Sequence, residues 1–274
     1  MAKLRNIFCL VLTFVLLGSL FAFGGVAYAF DPDTSLSTAD TSFWGESAID
    51  YSGICVATAG DVNGDGYDDF LIGAYRNDDG GSDAGQTYLI LGKAGGWTMD
   101  TSLSTADASF WGEHGGDRSG YSVATAGDVN GDGYDDFLIG AYANDDGGSD
   151  AGQTYLILGK AGGWTMDTSL STANASFWGE HLGDYSGYSV ATAGDVNGDG
   201  YDDFLIGANQ NSDGAASAGQ TYLLLGTPPP PRAVGGEVYP INKVTVLMPW
   251  IGLAVTLALG GVFITRFARR RVRS

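Results

Sequence analysis

An internal repeat limits the folds open to this chain more than any other feature of its sequence. The string DTSLSTAD, with its last residue changed to Asn in the third copy, begins at Asp33, Asp100 and Asp167. A longer string, GDVNGDGYDDFLIGA, begins at Gly60, Gly127 and Gly194. Both strings recur every 67 residues, and a fixed period of this kind indicates stacked copies of one supersecondary unit. We therefore predict three units, at residues 33–99, 100–166 and 167–226.

Each unit has the pattern of β structure. In the second unit, short runs rich in β-branched and aromatic residues occur at 121–126, 137–142 and 153–158, with a weaker run at 109–112. Clusters of Gly, Asp and Asn separate the runs, and no segment keeps the 3.6-residue apolar period of a helix. Four short strands per unit predict an all-β fold of three blades, each of four antiparallel strands, as in a β-propeller. A β-sandwich and a β-solenoid are the alternatives, although 67 residues is long for one solenoid rung.

An acidic loop, D-V-N-G-D-G-Y-D-D, follows the first strong run of each unit. Oxygen side chains occupy its positions 1, 3, 5 and 9, a Gly at position 6 permits a sharp turn, and the Tyr at position 7 offers its main-chain carbonyl. Calcium prefers six to eight hard oxygen ligands of this kind, at about 2.3–2.6 Å. The predicted ligands are Asp61, Asn63, Asp65, Tyr67 and Asp69, then Asp128, Asn130, Asp132, Tyr134 and Asp136, and then Asp195, Asn197, Asp199, Tyr201 and Asp203.

The loop matches only the first half of an EF-hand. Position 12, where an EF-hand has an acid, is Ile72 in the first copy and falls in a predicted strand. We therefore predict about three Ca²⁺ ions, one per unit, each in a strand–loop–strand site. An acidic Asx-turn hairpin without metal is the alternative, but clustered carboxylates repel one another unless a cation neutralises them. The position-8 acids are predicted to be solvated or to lie outside the ligand set: Asp68, Asp135 and Asp202.

Charge divides the chain into three parts. All 32 acids lie between Phe30 and Lys243, together with six of the 13 bases, so this segment has a formal charge of −26 against −19 for the whole chain. Such an acidic segment excludes a nucleic-acid binder that works through a basic surface. The two ends are basic instead, and each requires its own explanation.

Both ends have the composition of membrane-directed segments. Residues 1–29 combine an early basic pair, an apolar run and the Ala27-Tyr28-Ala29 cleavage pattern, which predicts a signal peptide with a helical apolar region. An uncleaved anchor is the alternative. Residues 244–265 carry no charge, and 22 residues are enough for a transmembrane helix. A Pro-rich linker, residues 227–243, precedes this span.

The expected topology follows from the basic tail at residues 266–274. Basic residues next to a span stay on the cytoplasmic side. We therefore expect a single-pass protein of the cell membrane, with its repeat domain at residues 30–226 extracellular and its C terminus cytoplasmic.

The repeated motifs resemble a known family. The run SGYSVATAGDVNGDGYDDFLIGA, with GQTYLILG after it, resembles the FG-GAP repeat of the N-terminal propeller of integrin α chains, and similar repeats occur in bacterial and archaeal surface proteins. The resemblance covers essentially all of residues 33–226 and is most specific at the calcium loop. The Phe-Gly and Gly-Ala-Pro of the name are replaced here, for example by Ser119-Gly120 and by Gly140-Ala141-Tyr142. The resemblance implies propeller blades and calcium-supported adhesion or recognition outside the cell.

Three blades are fewer than the four to eight of closed propellers. An open array leaves sheet edges exposed at both ends, so we expect an incomplete propeller or one that a homo-oligomer completes. The link that varies most between copies, at residues 47–51, 114–118 and 181–185, lies on the rim away from the calcium turns. This variation fits either relaxed loops or a recognition face for an extracellular protein or glycan.

The sequence favours a non-enzymatic role. It contains no evident Ser/His/Asp or Cys/His set, nucleotide loop or catalytic insertion, so we predict no catalytic residues and no organic cofactor. We predict a calcium-binding, membrane-anchored surface protein with a role in adhesion or recognition. A structural envelope spacer without a specific ligand is the main alternative, and an extracellular hydrolase or glycan-active enzyme is a more distant one.

Overall fold

A computed structural model describes residues 34–228 of the chain. Three short 3-10 helices lie at Leu36–Thr38, Leu103–Thr105 and Leu170–Thr172. The other elements of the described residues are strands: Phe43–Trp44 (β1), Val56–Gly60 (β2), Asp69–Ala74 (β3), Gln86–Ile90 (β4), Thr101–Ser102 (β5), Ala108–Trp111 (β6), Ser119–Gly127 (β7), Asp136–Ala141 (β8), Gln153–Ile157 (β9), Thr168–Ser169 (β10), Ala175–Trp178 (β11), Ser186–Gly194 (β12), Asp203–Ala208 (β13) and Gln220–Leu224 (β14). The described part of the chain is therefore all-β, as predicted.

Three antiparallel sheets form propeller-like blades. The first runs β2-β3-β4-β6, the second β7-β8-β9-β11, and the third β12-β13-β14. Two-residue parallel pairings, β1 with β5 and β10 with β6, join segments of successive repeats at the outer side of the sheets. The middle strands carry short continuous apolar runs, such as Phe137, Leu138 and Ile139 of β8, which place apolar side chains on both faces of a sheet for packing against neighbouring blades.

The structural blade and the sequence unit are out of phase, which corrects the predicted blades 33–99, 100–166 and 167–226. The outer strand of the first blade is β6, which belongs to the second repeat, and the outer strand of the second blade is β11, from the third repeat. The blade of the third repeat consequently has three strands rather than the predicted four. The sequence period gives the length of a repeat, but it does not show whether a strand near a repeat boundary pairs with the preceding or the following blade.

The hydrophobic core lies between the blades. Leu71 and Leu89 of the first blade pack against Val123, Phe137 and Ile139 of the second. A second cluster joins the second blade to the third, and a third covers the other face of the first blade. The second blade, which has a neighbour on each face, is the most completely buried: every residue of β8 and β9 is buried.

Several predicted segments lie outside the described residues. These are the signal peptide at 1–29, most of the linker at 227–243, the span at 244–265 and the basic tail at 266–274. Within residues 34–228, the structure contains no helix long and apolar enough to span a membrane.

Candidate functional site

The three acidic loops occupy equivalent places in the three blades. Each connects the innermost strand to the next one, as between β2 and β3, and all three leave the sheets at the same strand ends. A register shift between Thr58 and Gly60 ends β2, and Gly60 has a positive φ of 79°. The same shift recurs at the ends of β7 and β12. A β-bulge of this kind re-aims the chain and starts the tight turn.

The first loop is organised around the carboxylate of Asp61. Its Oδ1 accepts hydrogen bonds from the main-chain N–H groups of Gly64 at 2.8 Å and Asp65 at 3.1 Å, and its Oδ2 accepts one from Gly66 at 2.8 Å. Asp128 and Asp195 make the same set of contacts in their loops. In Asp195, these hydrogen bonds, the one from Gly200 above all, hold the carboxyl pKa below its usual value. The third loop therefore favours the ionised form of its position-1 acid.

The position-9 aspartates are buried at the base of the loops. In Asp136, which is fully buried, Oδ2 accepts from the N–H of Val129 at 3.1 Å and Oδ1 from the N–H of Gly159 at 2.8 Å. Burial, with a smaller contribution from the nearby carboxylates Asp132 and Asp128, raises the pKa of Asp136 to about 7. For Asp69, burial raises the pKa to about 6. An anion in this position lacks a neutralising partner among the described residues.

The donor set fits a divalent cation of the calcium type. Each loop contains two carboxylates at positions 1 and 5, one amide at position 3 and, at its base, a third, buried carboxylate, and all offer hard oxygen donors. In the second loop, both Oδ1 and Nδ2 of Asn130 are buried without a hydrogen-bond partner in the described structure. A bound cation would take the Oδ1 of Asn130 as a ligand and would neutralise the carboxylate of Asp136, whose ionised form burial disfavours. Asn63, in contrast, contacts its own loop, since its Nδ2 donates to Asp65 at 3.0 Å.

The loops are not closed into a tight cluster of carboxylates. Among residues 34–228, the one group of three acid or His side chains whose ligand atoms all lie within 4.8 Å is Glu180, His181 and Asp213, and all three are exposed. The position-9 carboxylates are turned toward main-chain N–H groups such as those of Val62 and Gly92, which separates them from positions 1 and 5. The structure thus brings the predicted ligands into one loop without bringing every carboxylate oxygen into mutual contact.

The position-7 tyrosines and position-8 aspartates link adjacent loops. Oδ2 of Asp135 accepts a hydrogen bond from the N–H of Asp61 at 2.9 Å, and Oδ2 of Asp202 accepts one from Asp128 at 3.1 Å. The ring of Tyr134 lies so close to Gly64 that a Cβ built there would be 2.7 Å from it. Asp135 and Asp202 are therefore not simply solvated, which leaves the other predicted role, a position outside the ligand set. Each fastens its own loop to that of the preceding blade.

We predict that the metal-free protein becomes more stable as the pH falls from 7.5 to 5. Because the pKa of Asp136 is raised to about 7, the folded state holds a proton in a pH range where the unfolded chain, with its ordinary Asp pKa near ~3.9, does not. Stability must therefore fall as the pH rises through that range. In chelator, the melting temperature should be a few degrees higher at pH 5 than at pH 7.5.

The matched variant for this prediction is Asp136→Asn, which has no proton to gain. It should show a smaller change in melting temperature over the same pH range than the unmodified chain. An equal change in both proteins would show that the general acidity of the chain, and not Asp136, is responsible.

A cluster of six tyrosines occupies the opposite rim of the blades. The rings contact one another in an unbroken series, with centroids between 4.7 and 5.7 Å apart: Tyr51, Tyr75, Tyr121, Tyr142, Tyr185 and Tyr188. Tyr121 lies near the start of β7, whereas the calcium-type loop follows its end, so strand length separates the two sites. We call this group the tyrosine cluster.

Two arginines complete the tyrosine cluster. The guanidinium of Arg76 lies 5.5 Å from the ring centroids of both Tyr51 and Tyr75, and that of Arg118 lies 5.6 Å from Tyr142 and donates a hydrogen bond to its hydroxyl. The link residues Tyr51, Arg118 and Tyr185 were predicted to lie on this rim as a variable segment. Their contact with Tyr121 and Tyr142 was missed, although a tyrosine recurs one repeat after Tyr121, at Tyr188, and one repeat before Tyr142, at Tyr75.

Comparison with known proteins gives one family. A family model described as the FG-GAP repeat matches residues 56–90, 119–157 and 186–224. Integrin alpha-PS2 of Drosophila melanogaster is 34% identical over 214 residues, which is 76% of this chain and 13% of the relative. Integrin alpha-5 of Xenopus laevis is 33% identical over 173 residues, which is 61% of this chain and 15% of the relative.

Integrin alpha-V of Gallus gallus gives a similar result, with 34% identity over 174 residues, 61% of this chain and 16% of the relative. The chain therefore spans only 13% to 16% of the length of these three relatives.

Proposed function

This chain is an FG-GAP repeat protein that resembles integrin α chains in its repeats, and on that premise we propose that it is a calcium-binding, membrane-anchored surface protein that acts in adhesion or extracellular recognition. The observation that supports the proposal most directly is the pairing of two different rims on one array. One rim carries three loops with calcium-type oxygen donors, and the other carries the tyrosine cluster.

Calcium has a structural role in this proposal. Asp61, Asn63, Asp65 and Asp69, with the carbonyl of Tyr67, would hold the ion in the first loop, and the equivalent residues would do so in the other two. A bound divalent ion supplies positive charge to carboxylates that the fold brings together. Because Asp135 and Asp202 connect successive loops, ordering one loop also orders the junction between blades. The ions would thereby keep the array rigid enough to present its opposite rim.

The tyrosine cluster is the proposed recognition surface. Tyrosine and arginine are enriched among the residues that contribute most to protein interfaces, because they offer a large rigid contact area and a polar end. Tyr51 is 54% exposed, and the arginines that lie over the rings hold them in place. Protein and glycan ligands both use surfaces of this kind, and the binding assay below distinguishes them.

Membrane anchoring is also part of the proposal and rests on sequence. The uncharged residues 244–265 are followed by five arginines, and the acidic segment precedes them. This arrangement favours a repeat domain outside the cell and a basic tail in the cytoplasm. Protease added to intact cells should remove the repeat domain and leave the tail protected.

We predict that Tyr51→Ala lowers adhesion at least ~10-fold, since an interface tyrosine of this kind typically contributes about 2 kcal/mol or more. The full chain would be displayed on a non-adherent host cell, and cells retained on immobilised glycans and on immobilised extracellular proteins would be counted, with calcium and with chelator. Trp178→Ala is the matched control, because Trp178 is 64% exposed and lies on the outer strand β11, which contributes no ring to the tyrosine cluster.

The two classes of outcome differ clearly. Retention on one class of surface, dependent on calcium and on Tyr51, would support the proposal and identify the ligand as protein or glycan. If no surface retains the cells in a calcium-dependent way, the chain is better described as a structural envelope spacer.

A further inference from the structure

The two ends of the described array are complementary parts of one blade. At the C-terminal end, the third blade has its three inner strands, and β14 has no partner on its outer side within residues 34–228. At the N-terminal end, β1 pairs with β5 in the parallel register in which β6 pairs with β10, so β1 already lies where an outer strand belongs. Among the described residues, the N-terminal end thus has an outer strand, β1, without the three inner strands of its blade. The C-terminal end of this part of the chain has three inner strands without an outer strand.

We propose that a second copy of this chain completes the third blade, with β1 of each copy adding to β14 of the other to form a closed ring of two chains. Strand addition to an exposed edge is a common way in which chains join, and here the chain itself carries both partners. The inference concerns how the repeats assemble, and it holds whether or not the loops bind calcium.

The two complete blades define the register of the new pairing. In the first blade, Ala108 lies opposite Leu89 and Phe110 opposite Thr87. In the second, Ala175 lies opposite Leu156 and Phe177 opposite Thr154. Thr41, just before β1, and Phe43 of β1 are the positions one repeat before Ala108 and Phe110, and Leu223 and Thr221 of β14 are those one repeat after Leu156 and Thr154. The new pairing therefore places Thr41 opposite Leu223 and Phe43 opposite Thr221. A shift of one residue would turn the side chains to the wrong face, so this register is the only one that fits.

The exposed apolar residues at the two ends are the ones that a neighbouring copy would bury. Leu36 is 87% exposed, whereas its equivalents Leu103 and Leu170 are 0% and 1% exposed because each packs against a blade. At the other end, Val196 is 54% exposed, against 0% for Val62. Identical sequence positions thus differ in burial only where a neighbouring blade is absent.

A hydrogen bond joins successive loops at each internal junction between blades. At the two ends of the array, the equivalent donor and acceptor do not make this bond within the described part of the chain. Asp135 and Asp202 each accept a hydrogen bond from the preceding loop. Their equivalent in the first blade, Asp68, is exposed and has no such contact among the described residues, and the main-chain N–H of Asp195 has no acceptor there. A second copy placed by the strand register would bring these two groups together.

Ring size argues for two copies. Each chain contributes two complete blades, three strands of another and one outer strand, so two chains form six complete blades. Closed propellers have about four to eight blades, and three chains would exceed that number. A single chain closing on itself would make three blades, and the exposure of Trp44 and Leu223, 54% and 49%, shows that its ends are not joined in this structure. A head-to-tail interface that closes gives a ring of defined size.

The first test is a disulfide placed by the predicted register. In a full chain with both natural thiols removed, by Cys9→Ala and Cys55→Ser, the pair Thr41→Cys and Leu223→Cys should cross-link two copies under mild oxidation. Directly opposed strand residues lie close enough for a disulfide, about 4.5–5.5 Å between Cα atoms. The pair Thr41→Cys and Thr221→Cys is the out-of-register control. A cross-link within one chain, or equal cross-linking of both pairs, would overturn the proposal.

The second test measures mass. The full chain in mild detergent should have the protein mass of two copies, and Leu36→Lys should convert it to one copy, because a lysine would be buried unpaired at the junction. Because Leu36 is exposed in the single chain, the substitution should not affect the folding of that chain. Leu182→Lys, at a leucine that is 72% exposed on the opposite rim, is the matched control and should leave the dimer intact.

Each outcome of the mass measurement decides the proposal. A chain that stays monomeric at all concentrations would overturn it, as would an assembly of three or more copies. A dimer that Leu36→Lys leaves unchanged would place the contact elsewhere, for example between the predicted membrane spans, and would also overturn it.

Discussion

Removal of calcium should lower the melting temperature of the full chain by at least ~15 °C. A ligand present at 100 times its dissociation constant stabilises a protein by roughly 2.7 kcal/mol per site, or about 8 kcal/mol for three such sites. For a domain of this size, 1 kcal/mol corresponds to about 2–4 °C. Differential scanning calorimetry with excess calcium, and then with excess chelator, gives the shift directly. An unchanged melting curve would contradict a structural role for calcium in the loops.

The Asn130→Ala variant distinguishes a role of Asn130 in metal binding from a role in the stability of the metal-free fold. Both side-chain atoms of Asn130 are buried without a hydrogen-bond partner in the described structure, so the metal-free protein should lose little when they are removed. With calcium present, the second loop would lack one oxygen ligand, and the melting temperature should fall by about a third of the full calcium effect. A variant that is destabilised equally in chelator and in calcium would show that Asn130 supports the loop without binding an ion.

The second large effect is expected at the junction between blades. Gly152→Ala should destabilise the protein by about 3 kcal/mol more than Gly219→Ala, because overpacking against a backbone that cannot move typically costs about 1–3 kcal/mol or more. A Cβ at Gly152 would be 2.2 Å from the carbonyl oxygen of Ser186 in the next blade. At Gly219, where no next blade is present, the nearest atom is 3.3 Å away.

The comparison between the two glycines isolates the contact from backbone strain. Their φ angles are nearly the same, 77° for Gly152 and 76° for Gly219, so the cost of a left-handed alanine cancels between the variants. Denaturant unfolding would be measured at a concentration where the chain is monomeric. Equal losses of stability would mean that the junction between the second and third blades is loose enough to accommodate a methyl group.

Much of the fold could be predicted because the same residues mark the ends of the strands in every repeat. The predicted runs at 121–126, 137–142 and 153–158 agree with β7, β8 and β9 to within two residues at each end, since Gly and Asp clusters interrupt the pairing at the same places in every copy. Position 6 of the loop was predicted to need Gly, and Gly66 has a φ of 90° that other residues rarely adopt.

Features that depend on contacts between repeats could not be predicted in the same way. Near-identical copies give no sign of whether 108–111 pairs with β4 or with β9, because both strands have the sequence QTYLI. Nothing local distinguishes Asp135, which fastens two loops together, from Asp68, which does not. The tyrosine cluster likewise forms only when residues from three blades meet, so no single copy contains its pattern.

The exchange of outer strands between repeats also sets the order in which the chain can fold during synthesis. The first blade ends its third strand at Ile90 but remains incomplete until Trp111 has been made, well into the next repeat. Each blade therefore waits for the following copy, and during synthesis the newest blade presents an open edge. Within the described residues no fourth copy follows β14, so the outer edge of the third blade is still open when the last of the three repeats has been made.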